Sequence, residues 1–238
     1  MMARYKQIEW TAENIRRIWD YTSGFPELYF TNKFGDIIVD RFKKFIKKGG
    51  NILDYGCGTG FLIPHLLKLG ANVTGLDFSD ESIDSVNARF GEAHGFKGAF
   101  GIEEVLKSGK KFDVIFLIEV IEHLDDKALN ESFSNIKKML SNDGVLIVTT
   151  PNDEKLDGSQ VFCPNCEHLF HKWQHIRSWN KKTLCSCLEK NGFDIVNSFV
   201  TDFSASLKRN QVRLAKLIIK KLFSKKLPHL ACVCRPVK

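Results

Sequence analysis

The chain has 238 residues, of which 43% are hydrophobic and 26% are charged, a balance typical of a globular protein that can bury a core. Its N-terminus lacks the apolar region of a signal peptide, and no apolar run approaches the length of a membrane span. The seven cysteines are scattered and odd in number, unlike the framework of a small secreted protein, so we expect a cytoplasmic protein with reduced thiols.

The net charge of +7 is carried by the C-terminal end of the chain. Residues 201–238 hold ten of the 35 basic residues and one of the 28 acidic ones, which leaves the other 200 residues at −2. Within this end, 207–226 places apolar residues on one stripe and predicts a basic amphipathic helix. Such a helix suits peripheral contact with an anionic membrane, and a helix packed on the domain with hydrated lysines explains the pattern as well. Without aromatic–basic interleaving, a nucleic-acid partner is not expected.

Helix and strand patterns alternate along the rest of the chain. Helices are predicted at 11–21, where Thr11 can act as the N-cap, and at about 32–48, before a Gly-Gly pair. Short apolar runs typical of buried parallel strands follow at 51–55, 72–77, 112–118 and 144–150, and two further strands are predicted at 193–200 and 229–237. This alternation predicts an α/β fold with a doubly wound sheet and right-handed crossovers.

The most informative stretch is ILDYGCGTGFL, residues 52–62. Glycines between a strand and a helix let the backbone turn tightly and let a ligand approach main-chain N–H groups, but the spacing G-x-G-x-G differs from that of dinucleotide sites. Asp54, just before the turn, would repel a diphosphate and accept a hydrogen bond from an ammonium group. Asp77 ends the next strand, where a ribose diol would lie. A ligand with an amino acid at one end and a ribose at the other is S-adenosylmethionine.

These stretches resemble the motifs of the class I S-adenosylmethionine-dependent methyltransferases over residues 30–200. The similar motifs are LDYGCGTG, VTGLDFS, FDVIFLIEVIEHLDD and GVLIVTTPN, and EVIEHL followed by TTPN is most similar to the ubiquinone-biosynthesis O-methyltransferase group. The resemblance implies a Rossmann-like seven-stranded sheet in the order 3-2-1-4-5-7-6, with 229–237 as the final, antiparallel strand. It also implies a helical lid at 1–48 that covers an S-adenosylmethionine-binding domain at 49–238.

The resemblance also assigns roles to individual residues. It implies that Asp54 serves the methionine ammonium and Asp77 the ribose hydroxyls, while Phe78 flanks the adenine. The family often has GDAE after the third strand, whereas this chain reads GIEE at 101–104, so adenine relies on backbone groups or on Glu103. The predicted cofactor residues are Asp54, Tyr55, Gly56, Gly58, Gly60, Asp77, Phe78, Glu103, Ile118 and Glu119.

Two acids and an imidazole follow the fourth strand at the carboxyl edge of the sheet, where ligands bind in open α/β folds. Carboxylates and imidazoles together can hold a divalent cation such as Mg²⁺ or Mn²⁺, and small-RNA 3′-terminal 2′-O-methyltransferases have a similar ExxEH motif completed by a further histidine. Alternatively, these side chains cap a helix at 124–140, or the imidazole is a plain general base. The predicted catalytic residues are His123, Glu122 and His175, and the predicted cation ligands are Glu119, Glu122, His123 and His175.

The segment CPNCEHLFHKWQH, residues 163–175, has the density of cysteine and histidine of a metal site. Its spacing C-x2-C-x4-H-x3-H is compact like a zinc knuckle, which predicts a zinc ion on Cys163, Cys166, His171 and His175. Two other interpretations remain open: His175 alone reaches the cluster after the fourth strand, or the segment is a loop with reduced cysteines and hydrogen-bonded histidines. His175 cannot serve both metal sites at once.

The sequence therefore predicts a methyltransferase that uses S-adenosylmethionine, releases S-adenosylhomocysteine, and acts on a small-molecule or lipid-linked acceptor at oxygen. One alternative is an RNA ribose 2′-O-methyltransferase with a divalent cation. Another is a non-catalytic, zinc-stabilised module that retains the cofactor. A nicotinamide-dependent oxidoreductase is disfavoured by Asp54. The aromatic side chains of Tyr5 and Trp10 are expected to line the acceptor pocket.

Overall fold

The computed structural model of the protein describes residues 5–204 and 227–237. Within these ranges the strands are β1 (Lys6–Gln7), β2 (Asn51–Tyr55), β3 (Asn72–Leu76), β4 (Phe96–Phe100), β5 (Phe112–Ile118), β6 (Leu140–Pro151), β7 (Gln160–Phe162), β8 (His168–His171), β9 (Phe193–Thr201) and β10 (His229–Pro236). The α-helices are α1 (Ala12–Ser23), α2 (Phe30–Phe42), α3 (Ile63–Leu67), α4 (Asp80–Phe90), α5 (Ile102–Lys107), α6 (Asp126–Met139) and α7 (Lys181–Lys190).

A seven-stranded sheet forms the centre of the protein. Its strand order is β4-β3-β2-β5-β6-β10-β9, which is the predicted order 3-2-1-4-5-7-6 when the strands of this sheet are counted along the chain. β2 to β6 pair in parallel, and β10 pairs antiparallel with both β6 and β9. The predicted Rossmann-like α/β fold is therefore confirmed. Parallel pairing requires helical crossovers, which explains why strand and helix patterns alternate in the sequence.

Helices cover both faces of the sheet. In β5, Val114 and Phe116 belong to one buried cluster with side chains of α2, α3 and α4, whereas Ile115 and Leu117 belong to a second cluster with side chains of α6 and α7. Because successive side chains of a strand point to opposite faces, a strand covered on both faces must be apolar throughout. This double burial leaves the carboxyl edge of the sheet as the place where polar groups converge.

The two N-terminal helices lie where the sequence predicts them, but their lengths differ from the predicted lengths. Thr11 caps α1 as predicted, since its Oγ1 accepts a hydrogen bond from the N–H of Asn14. α2 ends at Phe42, six residues before the predicted end, and a 3₁₀ turn at Lys43–Phe45 follows. The chain leaves the helix there because the apolar side chains that follow, Phe45 and Ile46, pack against the core.

A second, three-stranded sheet was not predicted. Its order is β1-β8-β7: β7 and β8 form an antiparallel hairpin, and β1 adds to β8 in parallel, with Lys6 opposite His168. The sequence predicts a loop in this hairpin region, because strands of two to four residues are too short to show an alternation of polar and apolar side chains. The pairing attaches the start of the chain to the segment that contains the clustered cysteines and histidines.

No helix in the described ranges is long and apolar enough to cross a bilayer. The predicted basic amphipathic helix at 207–226, together with the membrane contact assigned to it, lies outside those ranges.

Candidate active site

The turn after β2 requires glycine because neighbouring side chains pack directly against its backbone. Gly56, Gly58 and Gly60 have φ angles of 78°, 50° and 82°, in the left-handed region that other residues rarely adopt. A Cβ at Gly56 would lie 2.7 Å from Cγ2 of Val120, and one at Gly58 would lie 2.6 Å from the ring of Tyr29. The turn is therefore packed between the segment that follows β5 and the segment that precedes α2.

Asp54 presents an unsatisfied carboxylate to the crevice beside this turn. The residue is only 3% exposed, and its Oδ2 has no hydrogen-bond partner. Burial, followed by the negative charge of Asp77, raises the pKa of Asp54 from 3.8 to about 7. A buried carboxylate without a partner is costly, and a cationic ligand group would remove that cost. The site thus suits the ammonium that the sequence analysis assigns to Asp54.

Asp77 at the end of β3 holds the glycine turn in place. Its Oδ2 accepts the N–H of Gly58 at 2.8 Å, and its Oδ1 accepts the N–H groups of Phe78 at 2.9 Å and Ser79 at 3.1 Å. A carboxylate has about four acceptor positions, so one is left for a ribose hydroxyl. Phe78 is 60% exposed, which leaves its ring free to lie against a planar ligand.

The other predicted cofactor residues differ in what they can offer. Glu103 is exposed in the first turn of α5. The hydroxyl of Tyr55 donates to Oγ of Ser132 on α6 at 3.2 Å, and Ile118 is buried in the core. The side chains of Tyr55 and Ile118 therefore face away from the crevice, and only their main-chain groups can reach a ligand there.

Glu119 begins the polar segment after β5 in a strained conformation. Its φ is 53°, unusual for a residue with a side chain. Two contacts with Thr149 on β6 fix it: its N–H donates to the Thr149 carbonyl at 3.0 Å, and its Oε1 accepts the Thr149 hydroxyl at 2.8 Å. Burial raises the pKa of Glu119 to about 8. The carboxyl is thus held against the sheet.

Glu122 and His123 lie in a tight turn and do not cap a helix. The N–H of His123 donates to the carbonyl of Val120 at 3.1 Å, and α6 begins three residues later with Asp125 as its N-cap, whose Oδ1 accepts the N–H of Ala128 at 2.7 Å. The capping interpretation, with a helix at 124–140, is therefore wrong. Asp125 occupies the N-cap position instead and satisfies one free N–H group of the first turn of α6.

Both side chains of this turn are buried. Glu122 is 1% exposed, its Oε2 accepts the hydroxyl of Thr150 at 2.9 Å, and its Oε1 lies 4.0 Å from His123 Nε2 without a hydrogen bond. Burial raises the pKa of Glu122 well above its usual range. Burial, and then the charge of His175, lowers the pKa of His123 to about 3. His123 is therefore uncharged near neutral pH, and burial favours the protonated, neutral form of Glu122.

A second group of side chains adjoins this turn from the other side. The ring of His175 meets that of His123 edge-on with centroids 4.8 Å apart, and it stacks on the ring of His171 at 4.6 Å. Nδ1 of His175 lies 2.5 Å from Oε2 of Glu154, which follows β6. Glu154 was missed by the sequence analysis, although its position just beyond a strand at the carboxyl edge of the sheet could have indicated it.

Two groups of possible metal ligands occur within the described part of the chain. They are Glu122–His123–His175 and Glu154–His171–His175, each with ligand atoms within 4.8 Å of one another. The first contains three of the four predicted cation ligands and excludes Glu119, whose carboxylate is held by Thr149.

The predicted zinc set is not brought together, since neither group contains Cys163 or Cys166. These cysteines lie in the turn between β7 and β8, where the N–H of Cys163 donates to the His168 carbonyl at 2.9 Å. His171 is at the other end of β8, opposite Gln160. The hairpin thus separates the two halves of the motif, a separation that linear spacing cannot reveal.

A pocket of about 490 Å³ lies between α1 and the β7–β8 hairpin. Trp10 and Trp19 from the N-terminal segment and Phe170 and Trp173 from the hairpin region line it. Trp10 thus lines a pocket, whereas Tyr5 packs against Phe162 of the second sheet, with ring centroids 4.9 Å apart. The pocket is therefore aromatic.

Trp19 connects this pocket to the turn that contains His123. Its ring lines the pocket and meets the ring of His123 edge-on at 5.0 Å. Its Nε1 donates to Oε1 of Gln174 at 3.2 Å, and Nε2 of Gln174 donates to the His123 carbonyl at 3.0 Å. The fully buried Gln174 therefore couples α1 to His123 through two hydrogen bonds.

Sequence comparison places the chain among known enzymes. Residues 30–198 match a family model described as a methyltransferase domain. A ubiquinone biosynthesis O-methyltransferase from Pelagibacter ubique (strain HTCC1062) is 31% identical over 196 residues, which are 74% of this chain and 77% of that protein. A protein of the same name from Actinobacillus pleuropneumoniae serotype 7 (strain AP76) is 32% identical over 143 residues, 56% of this chain and 59% of that protein.

Solved structures share the fold. A S-adenosylmethionine-dependent methyltransferase from Clostridium acetobutylicum ATCC 824 superposes with a TM-score of 0.62 at 15% identity, over 94% of this chain and 99% of that one. The Burkholderia thailandensis 1,6-didemethyltoxoflavin-N1-methyltransferase, with bound 1,6-didemethyltoxoflavin and S-adenosylhomocysteine, has a TM-score of 0.61 at 16% identity, over 98% and 94% of the two chains. The chain belongs to the S-adenosylmethionine-dependent methyltransferase family.

Proposed function

We propose that the protein transfers a methyl group from S-adenosylmethionine to an oxygen atom of a small-molecule acceptor. The observation that carries this proposal is the cluster of Glu122, His123 and His175 beside the glycine turn. Val120 joins the two, since its side chain is the one a Cβ at Gly56 would strike and its carbonyl accepts the His123 N–H. Groups that can bind and deprotonate a hydroxyl thus adjoin the site for the methyl donor.

Bound S-adenosylmethionine supplies a reactive sulfonium methyl group, so the protein mainly aligns the reactants and handles one proton. We assign the ammonium to the unpartnered Oδ2 of Asp54 and one ribose hydroxyl to the remaining acceptor position of Asp77. The exposed ring of Phe78 would lie against the adenine. Glu103, in the first turn of α5 just after β4, would contact the same adenine. These assignments use only groups that have binding capacity to spare.

The acceptor hydroxyl must lose its proton as its oxygen bonds to carbon. His123, with a pKa lowered to about 3 by burial and then by His175, is neutral but a weak base. Burial raises the pKa of Glu122 and so favours its protonated form, which can both donate and accept hydrogen bonds. We therefore assign proton acceptance to His175 and orientation of the hydroxyl to Glu122 and His123.

A divalent cation on Glu122, His123 and His175 is a second way to activate the same hydroxyl, supported by ligand atoms within 4.8 Å of one another. Protein treated with a chelator distinguishes the two. A rise in turnover on addition of Mg²⁺ or Mn²⁺ would assign the cluster to metal binding, whereas unchanged turnover would assign it to proton transfer by His175.

We infer that the aromatic pocket receives the apolar part of the acceptor. Trp19 lies between this pocket and His123, so an acceptor that displaces or slides past the indole would bring its hydroxyl to the cluster. The two hydrogen bonds of Gln174 support a lid role for the N-terminal segment, with 1–48 as the proposed lid and cap, because they transmit the position of α1 to the turn at His123.

Methyl transfer to matched oxygen and nitrogen acceptors tests the proposal. Purified protein is incubated with S-adenosylmethionine and either catechol or o-phenylenediamine, and the methylated product is identified by mass spectrometry. We expect a methyl ether from catechol, and its loss in His175→Ala with S-adenosylhomocysteine affinity retained. Transfer to the diamine alone would contradict the oxygen assignment. Cofactor binding without transfer to any phenol, amine or small RNA would favour a non-catalytic module, and transfer to RNA alone would favour the ribose methyltransferase.

A further inference from the structure

Glu154 links two histidines to the carboxyl edge of the sheet. Its Oε2 lies 2.5 Å from Nδ1 of His175, and its Oε1 lies 3.5 Å from Nε2 of His171. The side chains of Glu154, His171 and His175 are 19%, 4% and 10% exposed. With the two imidazoles stacked at 4.6 Å, the three side chains form one compact group beside the proposed base.

The hydrogen bonds of His171 fix where its proton lies. Its Nδ1 accepts the N–H of Trp173 at 3.3 Å and the N–H of His175 at 3.2 Å. A ring nitrogen that accepts carries no proton, so neutral His171 has its proton on Nε2, which faces Glu154. His171 therefore presents a donor to the carboxylate.

The same reasoning fixes the proton of His175. Nδ1 of His175 lies 2.5 Å from Oε2 of Glu154, and a glutamate carboxyl is normally ionised at neutral pH. An ionised carboxylate can only accept hydrogen bonds, so Nδ1 of His175 donates. In neutral His175, Nε2 then has no proton and is free to accept one.

We propose that Glu154 and His171 are positioning residues that hold His175 as the Nδ1–H tautomer, with Nε2 ready to take the proton of the acceptor. This inference rests on the proposed function of His175 as the base. Glu154 fixes the tautomer and stabilises the imidazolium that forms, which is the role of the carboxylate in serine-protease triads. The Nε2–H of His171 lies 3.5 Å from the other oxygen of this carboxylate, too far for a short hydrogen bond but close enough to attract it electrostatically.

The transfer step balances with these groups alone. The acceptor oxygen forms a bond to the methyl carbon as the carbon–sulfur bond breaks. The electron pair of the broken bond stays on the sulfur, which becomes a neutral thioether. The hydroxyl proton passes to Nε2 of His175. The positive charge that leaves the sulfonium thus reappears on an imidazolium that is hydrogen-bonded to the Glu154 carboxylate.

Glu154, His171 and His175 are also close enough to hold a metal ion, but the surroundings of His171 favour protons. A histidine that binds a metal through Nε2 donates its Nδ1–H to an acceptor. Here Nδ1 of His171 instead faces two N–H donors. A zinc ion bound by these three side chains, and lost in His171→Asn, would overturn the assignment.

Nuclear magnetic resonance of ¹⁵N-histidine-labelled protein tests the tautomer directly, without an acceptor. The signals of His175 are identified from their absence in His175→Gln. We expect the Nδ1–H form in the wild type and a mixture with the Nε2–H form in Glu154→Ala, but no change in Glu167→Ala, which removes an exposed carboxyl of the same hairpin. The Nε2–H form in the wild type, or an unchanged His175 in Glu154→Ala, would overturn the inference whichever acceptor the enzyme uses.

Kinetics with two catechols separate positioning from a structural role. Loss of general-base catalysis costs about 10²–10⁴-fold in rate, so we expect Glu154→Ala to lower kcat for catechol at least 10-fold with little change in KM or in S-adenosylhomocysteine affinity. Glu154→Asp should recover part of the rate. With 4-nitrocatechol, which is more acidic and needs less help from a base, the defect should shrink.

His171→Asn gives a milder test, since an amide oxygen can still accept the two main-chain N–H groups while the donor to Glu154 is lost. We expect a smaller fall in kcat with the same dependence on acceptor acidity. Equal losses for catechol and 4-nitrocatechol in both variants would reduce Glu154 and His171 to a structural role. If the wild type methylates only amines, the proposed function fails, while the tautomer measurement still decides the positioning inference.

Discussion

Replacement of Asp54 by asparagine should change cofactor affinity and stability in opposite directions. Asp54 is 3% exposed with one oxygen unpartnered, and burial, followed by the charge of Asp77, raises its pKa from 3.8 to about 7. Keeping this carboxyl ionised at pH 8 therefore costs about 4 kcal/mol of stability. A buried asparagine with imperfect hydrogen bonds gives back about 1–3 kcal/mol, so we expect a net gain of about 1–3 kcal/mol for the ligand-free protein.

The gain should depend on pH in a defined way. Because the folded-state pKa is raised, the penalty is absent below the unfolded value of 3.8, grows as the pH rises, and is complete above about 7. Asp54→Asn should therefore raise the melting temperature at pH 8, by about 2–4 °C per kcal/mol for a chain of this size, and lower it near pH 4, where the cost of the buried asparagine remains but the ionisation penalty has almost vanished. Scanning calorimetry of the ligand-free protein at both pH values measures this effect.

The same variant should bind the cofactor more weakly. Losing a hydrogen bond to a charged partner costs about 1.5–3 kcal/mol, which is roughly 10- to 150-fold in the dissociation constant of S-adenosylhomocysteine by titration calorimetry at pH 8. Asp84→Asn, which changes an exposed carboxyl on α4, is the matched control and should alter neither property. Wild-type affinity in Asp54→Asn would remove the ammonium role, and a lower melting temperature at pH 8 would refute the electrostatic reasoning.

Three further substitutions test other parts of the site. Asp77→Ala should weaken S-adenosylhomocysteine binding by about 1–3 kcal/mol, and unchanged affinity by calorimetry counts against the ribose role. Gly58→Ala should lose cofactor binding, because its Cβ would lie 2.6 Å from an aromatic ring at a φ of 50°; normal binding would mean that the turn can relax. Glu122→Gln and His123→Ala should each lower turnover while cofactor affinity stays normal; wild-type rates in both would remove them from the reaction.

Much of the fold could be predicted from the sequence because it depends on local or repetitive signals. Strands buried on both faces must be apolar throughout, so β2, β5 and β10 were recognised close to their observed ends. The glycine turn and its two flanking acids could also be predicted, because their chemistry is expressed within a few residues of each strand end. Glu122 and His123 were found by the same rule.

What the tertiary structure decided depends on contacts between segments far apart in the chain. Antiparallel pairing of β7 and β8 separated the cysteines from the histidines and removed the predicted zinc set, although their linear spacing is that of a zinc knuckle. Glu154 became a partner of His175 only because the segment after β8 returns to the segment after β6, where Asn152 pairs with Trp179. Sequence alone thus placed the glycines and acids of the proposed cofactor crevice, which follow their own strands, whereas the arrangement of the proposed base required three segments to meet in space.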